Sequence, residues 1–266
     1  MSALLFCACV LSIAATASGI KLQDHHRLSH HKYYLGRHRS LHGYAFVHYH
    51  EKHSEWARNY TARPVHSLSK RQVSACSAPI AEGAKWRTSK GYVVHTRNEQ
   101  GLSAEYILTS MSRAMDRWQC VMDSLGIYAI GPRVGVERNV PASEFVIDRP
   151  TGQNEIGFGP IEGRPGTVAV TVVWGVFGGP VQTREIREFK MRFDEEHYRF
   201  GNASLSGQFM DLEGIATHEV GHAYGLDDIY VSQCDHVTMF GTSRTGEQKK
   251  RTLSFQDVDG IRELYD

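Results

Sequence analysis

Four side chains within eleven residues have types and spacing suited to hydrolytic chemistry: His218, Glu219, His222 and Asp228. Imidazoles four residues apart on a helix share one face, with Cβ atoms roughly 5–6 Å apart. Two ring nitrogens so placed reach a single zinc ion at about 2.0–2.1 Å. Glu219, next to the first histidine, leans over such an ion without binding it and takes a proton from the attacking water. A catalytic zinc has three protein ligands and one open position. Asp228 is the expected third ligand; Asp227 is its neighbour and rival, and the sequence leaves that choice open. A bare HExxH arises by chance in about one chain of this length in a hundred, and requiring Gly225 and then Asp228 at their spacings lowers this by on the order of a hundredfold more. His236 is a further histidine nearby, in a stretch that reads as loop, where solvated imidazoles are the rule.

These residues need a helix followed by a sharp return. The run from Gln208 to Tyr224 reads as that helix, and Gly225, tolerant of positive φ, ends it and lets the chain swing Asp228 back beneath the ion. The rest reads as α+β. Tyr92 to His95 is a short strand. Ser103 caps a long helix whose apolar stripe is Ile107, Leu108, Met111, Met115, Trp118 and Met122, ending near Leu125 before Gly126. Strand-like runs follow at 144–147, 155–158, 167–174 and 189–193, separated by Gly and Pro clusters. A last helix starts from Ser254, with Asp257 answering its exposed N–H groups, and runs to Tyr265.

The 266-residue chain carries a formal charge of +1, which gives no reason to expect nucleic acid or an anionic membrane as partner. Residues 1–19 read as a signal peptide: a short apolar run, too short to span a bilayer, ends at Ala15-Thr16-Ala17, although the leading residues lack Lys and Arg. Residues 20–71 hold ten of the 15 histidines, show weak apolar periodicity and end in the dibasic pair Lys70-Arg71. They read as a pro-segment removed by cleavage, leaving residues 72–266 as the catalytic domain; a plain His-rich tail, or a metal-buffering one, is the competing reading. Of five cysteines, Cys76, Cys120 and Cys234 remain after the signal. An oxidising compartment favours one disulfide and one leftover thiol, with the pairing open.

The pattern HExxHxxGxx(H/D), followed by Val237-Thr238-Met239-Phe240 in the place of a Met-turn, resembles the metzincin metallopeptidases, and their matrixin branch most. Leu253 to Tyr265 is similar to the last helix of matrixin catalytic domains, and Lys85-Trp86 with the helix around Trp118 is similar to their beginning. The resemblance implies a secreted, extracellular, zinc-dependent endopeptidase, monomeric, acting on protein or peptide substrates. It also implies a twisted mixed sheet with a long helix, an active-site helix and a C-terminal helix. In that family the substrate lies extended along an edge strand, which by order in the chain falls near Phe189 to Phe193. The chain departs from the pattern in three places: Asp228 stands where most matrixins have histidine, Phe240 follows the Met-turn methionine, and no cysteine-switch motif is found. Arg244 and Lys249-Lys250-Arg251 read as a solvated loop or as walls of the specificity pocket. A catalytically inactive extracellular metal-binding or recognition protein on the same fold is the alternative, and Glu219 argues against it because a binder needs no general base.

Overall fold

The computed structural model describes residues 20–53, 76–138, 145–163 and 165–266. The proposed signal peptide, the Lys70-Arg71 pair and Cys7 and Cys9 lie outside them. In chain order the strands are β1 (Ile20–Lys21), β2 (His26–Arg27), β3 (Lys32–His38), β4 (Leu41–His50) and β5 (Ser89–His95). Helix α1 (Ala104–Ser124) precedes β6 (Gly131–Arg138), β7 (Asn154–Phe158), β8 (Ile161–Glu162), β9 (Thr167–Val176), β10 (Glu185–Phe193), β11 (Phe200–Gly201) and β12 (Met210–Asp211). Helix α2 (Leu212–Tyr224), β13 (Thr242–Ser243) and α3 (Phe255–Tyr265) complete the order.

One twisted mixed sheet organises the molecule, in the order β2-β3-β4-β9-β10-β7-β5-β6, with β13 added beside β4. Strands β6, β5, β7 and β10 run parallel to one another, whereas β9 is antiparallel to β10, and β4 is antiparallel to β9. The period of two along each strand sorts side chains to the two faces. Phe46 of β4, Ala169 and Val173 of β9, and Phe189, Met191 and Phe193 of β10 belong to the core shared with the helices. Ala45, Val47 and Tyr49, with Val170, Val172 and Trp174, form a second core on the opposite face, closed by Ile20, Leu22, Phe145 and Ile147.

Helix α1 starts where expected: the Ser103 side chain accepts from the Tyr106 backbone N–H at 3.2 Å, and Gly126 beyond its end has φ +76°. It packs on α2, and the indole N–H of Trp118 donates to the Thr217 carbonyl at 2.8 Å. Helix α3 opens with a capping box in which Ser254 and Asp257 satisfy each other's backbone N–H groups.

Three expectations are corrected, and one strand was not anticipated. Residues 145–147 form no strand; Phe145 and Ile147 instead cover the outer face of the sheet as extended chain. Strand β6 was not expected: Arg133 is half-buried and residues 134–138 are exposed, so no buried apolar run marks it. Helix α2 begins at Leu212, not Gln208, since Asp211 is its N-cap and Met210–Asp211 pairs as a strand. The edge strand expected at 189–193 is interior, flanked by β9 and β7; β9 in turn pairs on its other side with β4 of the N-terminal segment. That segment shows weak amphipathic contrast because β4 is buried on both faces, and a strand buried on both sides does not alternate.

Candidate metal centre

Helix α2 is buried along its whole length, which fixes the orientation of every side chain it carries. Its start is held by Asp211, which accepts from Gly214 N at 2.9 Å and from Arg251 Nε at 2.7 Å. Its last carbonyls are taken by Trp86 Nε1, 2.6 Å from Ala223 O, and by the Tyr265 hydroxyl, 2.9 Å from Tyr224 O. Gly225 then turns the chain with φ +106°; its N–H donates to His222 O and that of Leu226 donates to Gly221 O, both at 3.0 Å. This pair of bonds is a Schellman closure, and it requires the left-handed conformation that glycine adopts without strain. A Cβ at Gly225 would also lie 2.8 Å from Ala84 O.

The turn has a direct consequence for the imidazoles. Leu226 O accepts from His222 Nδ1 at 2.8 Å, and Thr238 O accepts from His218 Nδ1 at 2.8 Å. With Nδ1 turned to these carbonyls, both Nε2 atoms point into the site, where a bound cation would displace any proton they carry. Asp228 Oδ1 lies 3.1 Å from His218 Nε2 and 3.5 Å from His222 Nε2. All three atoms are buried and have no hydrogen-bond partner. Ligand atoms around a tetrahedral zinc at bond lengths of about 2.0–2.1 Å stand about 3.3 Å apart, so the separations fit a shared cation. The residues therefore fit the metal that the motif implies. Asp227 points elsewhere: its carboxylate pairs with Lys32 at 2.8 Å and accepts from Asp228 N at 2.9 Å. His236 is exposed and belongs to none of the clusters of potential ligands among the described residues.

The electrostatics of the pocket call for positive charge. Burial opposes ionisation of Asp228, but the two imidazoles outweigh it and hold its carboxyl well below the ordinary range. Burial alone would lower His222; Asp228 outweighs that and raises it to about 9, whereas burial dominates at His218 and lowers it to about 4. Glu219 is pushed up to about 7 by burial, against the opposing pull of His222 and of Thr171. The Thr171 hydroxyl, on β9, donates to Glu219 Oε2 at 2.5 Å, while Oε1 is buried without a partner. No spacing in the sequence pointed to Thr171, which on β9 alternates onto the face of Ala169 and Val173, in the core shared with the helices.

Met239 packs against helix α2. A Cβ on Gly221 would lie 2.2 Å from Met239 Sδ and 2.9 Å from Trp118 Cζ2, so the helix residue between Glu219 and His222 must be glycine for the methionine to approach. The turn carrying Met239 is pinned by α3: Asp257 accepts from Thr238 N at 2.9 Å and from Met239 N at 3.2 Å. Lys250, expected in a solvated or pocket-lining run, is instead buried; its ammonium donates to Thr238 O at 2.9 Å and also to Phe240 O. A disulfide between Cys76 and Cys234 ties the segment before β5 to the loop between Asp228 and Met239, and Cys120 is a free, exposed thiol. A cleft of 770 Å³ lined by Arg39, Trp86, Lys90 and Arg187 lies elsewhere and contains none of the four motif residues.

Fold and site together describe a metzincin-type metallopeptidase domain, with a mixed sheet, a helix carrying His218 and His222, and a methionine turn packed against it. The matrixin family profile matches residues 85–266, and the chain belongs to the matrixin family, whose members are zinc-dependent metallopeptidases. Human matrix metalloproteinase-25 is 39% identical over 74 residues, which is 27% of this chain and 12% of that protein. The chain thus matches only about an eighth of that relative's length. The crystal structure of metalloproteinase-II from Bacteroides fragilis aligns over 89% of this chain and 77% of that chain, at 11% identity and a TM-score of 0.35. Among the described residues no helix is long and apolar enough to cross a membrane.

Proposed function

We propose that this chain is the precursor of a secreted zinc endopeptidase that hydrolyses peptide bonds in extracellular proteins or peptides. His218, His222 and Asp228 are its zinc ligands and Glu219 its general base. Residues 1–19 are the signal peptide, 20–71 the pro-segment cut after Arg71, and 72–266 the catalytic domain. The observation that carries this reading is the convergence of three buried, unpartnered donor atoms, His218 Nε2, His222 Nε2 and Asp228 Oδ1, beside the unpartnered Glu219 Oε1.

Zinc held there supplies a Lewis acid and lowers the pKa of a coordinated water to about 7. The protein supplies the rest. Glu219, in a dry site and held by Thr171, takes the proton of the attacking water and returns it to the leaving amine. The carbonyls of Leu226 and Thr238 keep both imidazoles in the tautomer that leaves Nε2 free. An extended peptide would add to β9 as an antiparallel strand, so that its backbone hydrogen bonds give affinity and alternate side chains face the site. Asp228 in place of a third imidazole lowers the positive charge around the ion, which favours a less acidic water than three neutral ligands would.

The test is to produce residues 72–266, measure zinc content, and follow cleavage of casein or a quenched peptide with and without a chelator. One zinc per chain and chelator-sensitive cleavage are expected. Glu219→Ala should keep zinc and lose at least about a hundredfold in rate, and Asp228→Ala should lose zinc. Full activity in either variant would contradict these roles, and bound zinc without turnover would favour a binding protein.

A further inference from the structure

Lys250 is a buried cation with no anion beside it. It is 2% exposed, and among the described residues no carboxylate lies within ion-pairing distance of its ammonium, whereas its neighbours Lys249 and Arg251 pair with Glu247 and Asp211. Taking a charge out of water without a partner is costly. The carbonyls it meets would be satisfied by a neutral donor at lower cost. Burial, with Lys249, pushes the Lys250 pKa down to about 8, against the pull of Glu247, Asp257 and Asp228, so the ammonium stays protonated at neutral pH.

The ammonium stands one carbonyl away from the His218 ring. Thr238 O accepts from Lys250 Nζ at 2.9 Å and from His218 Nδ1 at 2.8 Å. Phe240 O accepts from the same ammonium, so Lys250 holds the turn on both sides of Met239. Asp257 holds the same turn by its N–H groups, and its charge is taken up by four donors: Thr238 N, Met239 N, Ser254 N and Ser254 Oγ. The Lys250 charge is not taken up in this way, and it reaches the site. Burial is the largest influence on both His218 and Glu219, and Lys250 lowers the pKa of each.

We infer that Lys250 is a positioning residue of the metal centre, and that its charge, set behind the Thr238 carbonyl and the His218 ring, offsets the charge of Asp228. The inference rests on the zinc-site reading above. An ion held by three neutral imidazoles keeps its full charge; a carboxylate in place of one imidazole removes one unit, and the ammonium returns one unit. Without Lys250 the site would hold its ion more tightly and make a bound water less acidic. A unit charge about 10 Å from a divalent ion changes its binding by about fourfold at a dielectric of about 80 and by a few hundredfold at about 20. On the loss of one proton from a bound water the same charge acts by about 2- to 15-fold. A clamp and a counter-charge differ in sign: losing a clamp loosens the ion, and losing a repelling charge tightens it.

The test measures zinc affinity of the uncut chain from residue 20 by competition with a chromogenic chelator. Three variants are compared with the wild type: Lys250→Met removes charge and donors, Lys250→Gln keeps an N–H donor without charge, and Lys250→Arg keeps the charge. Lys250→Met and Lys250→Gln should bind zinc at least about fourfold more tightly, and Lys250→Arg should stay within about twofold of the wild type. After cleavage at Arg71 the two neutral variants should lose about 2- to 15-fold in kcat at neutral pH with KM unchanged, because the charge acts on the bound water and not on the substrate. If Lys250→Met does not fold, Lys250→Gln carries the same comparison. Unchanged or weaker zinc binding in folded Lys250→Gln would overturn the inference and leave Lys250 a clamp of the turn, as would an equal tightening in Lys250→Arg. A wild-type chain that holds no zinc would instead remove the site reading on which the inference rests.

Discussion

Thr171→Val removes the hydroxyl that donates to Glu219 Oε2 at 2.5 Å while nearly preserving the shape of a fully buried side chain. A hydrogen bond to a charged group contributes about 1.5–3 kcal/mol. At 1.36 kcal/mol per pKa unit, its loss should raise the Glu219 pKa by about 1–2 units. The direction follows from which form the bond favours: the hydroxyl stabilises the carboxylate, and without it the protonated acid gains. Only the carboxylate can accept a proton from water, so the acid limb of kcat/KM against pH should move to higher pH by the same amount. On that limb the rate should fall roughly 10- to 100-fold, while the plateau above it changes little. The assay is a pH profile of quenched-peptide hydrolysis by the chain cut after Arg71, with zinc content checked at each pH. Thr171→Ser keeps the hydroxyl and should keep the limb near its wild-type position. A Thr171→Val profile that superimposes on the wild type, in folded and zinc-loaded protein, would refute the claim that Thr171 sets the protonation of Glu219.

Further predictions concern the framework. Burial would raise Glu155, but hydrogen bonds with His95 and Lys190 outweigh it and hold it at about 2. Its folded pKa is thus below its ordinary 4.5, so its stabilisation is complete above that value and lost as pH falls toward 2. Chemical denaturation should show about 3 kcal/mol lost from this group over that window, and Glu155→Gln should flatten the profile. Asp257→Ala removes a capping box and strands the Thr238 and Met239 N–H groups beneath the site. A loss of about 3–5 kcal/mol in urea denaturation is expected, with zinc released at lower chelator concentration. Removing the Cys76–Cys234 bridge, which spans 158 residues of sequence, should cost about 2–5 kcal/mol, read as a lower denaturation midpoint in the double serine variant.

The HExxH spacing, the glycine three residues on and the acid beyond it were legible as residues because a helix has a fixed pitch and a left-handed turn favours one residue type. The same local logic delimited α1 and α3, whose caps, Ser103 and Ser254, act within their own first turns. What local pattern left open was decided by contacts between distant segments. Asp228 rather than Asp227 faces the imidazoles where the Gly225 turn and the pairing of Asp227 N with Ala78 O, 149 positions away, set the path of the chain. Cys76 meets Cys234 only once the loop before Met239 folds back. Thr171 and Lys250 reach Glu219 and the methionine turn through sheet pairing and burial, which leave no periodic mark in sequence. The order of the sheet was likewise unreadable: hydrogen bonds between strands carry no residue code, so nothing in β10 declared it interior. Nor did the histidine-rich stretch around His48 declare itself a strand of the central sheet, since its two faces are both buried and only the folded chain distinguishes the face that meets the metal centre from the face that does not.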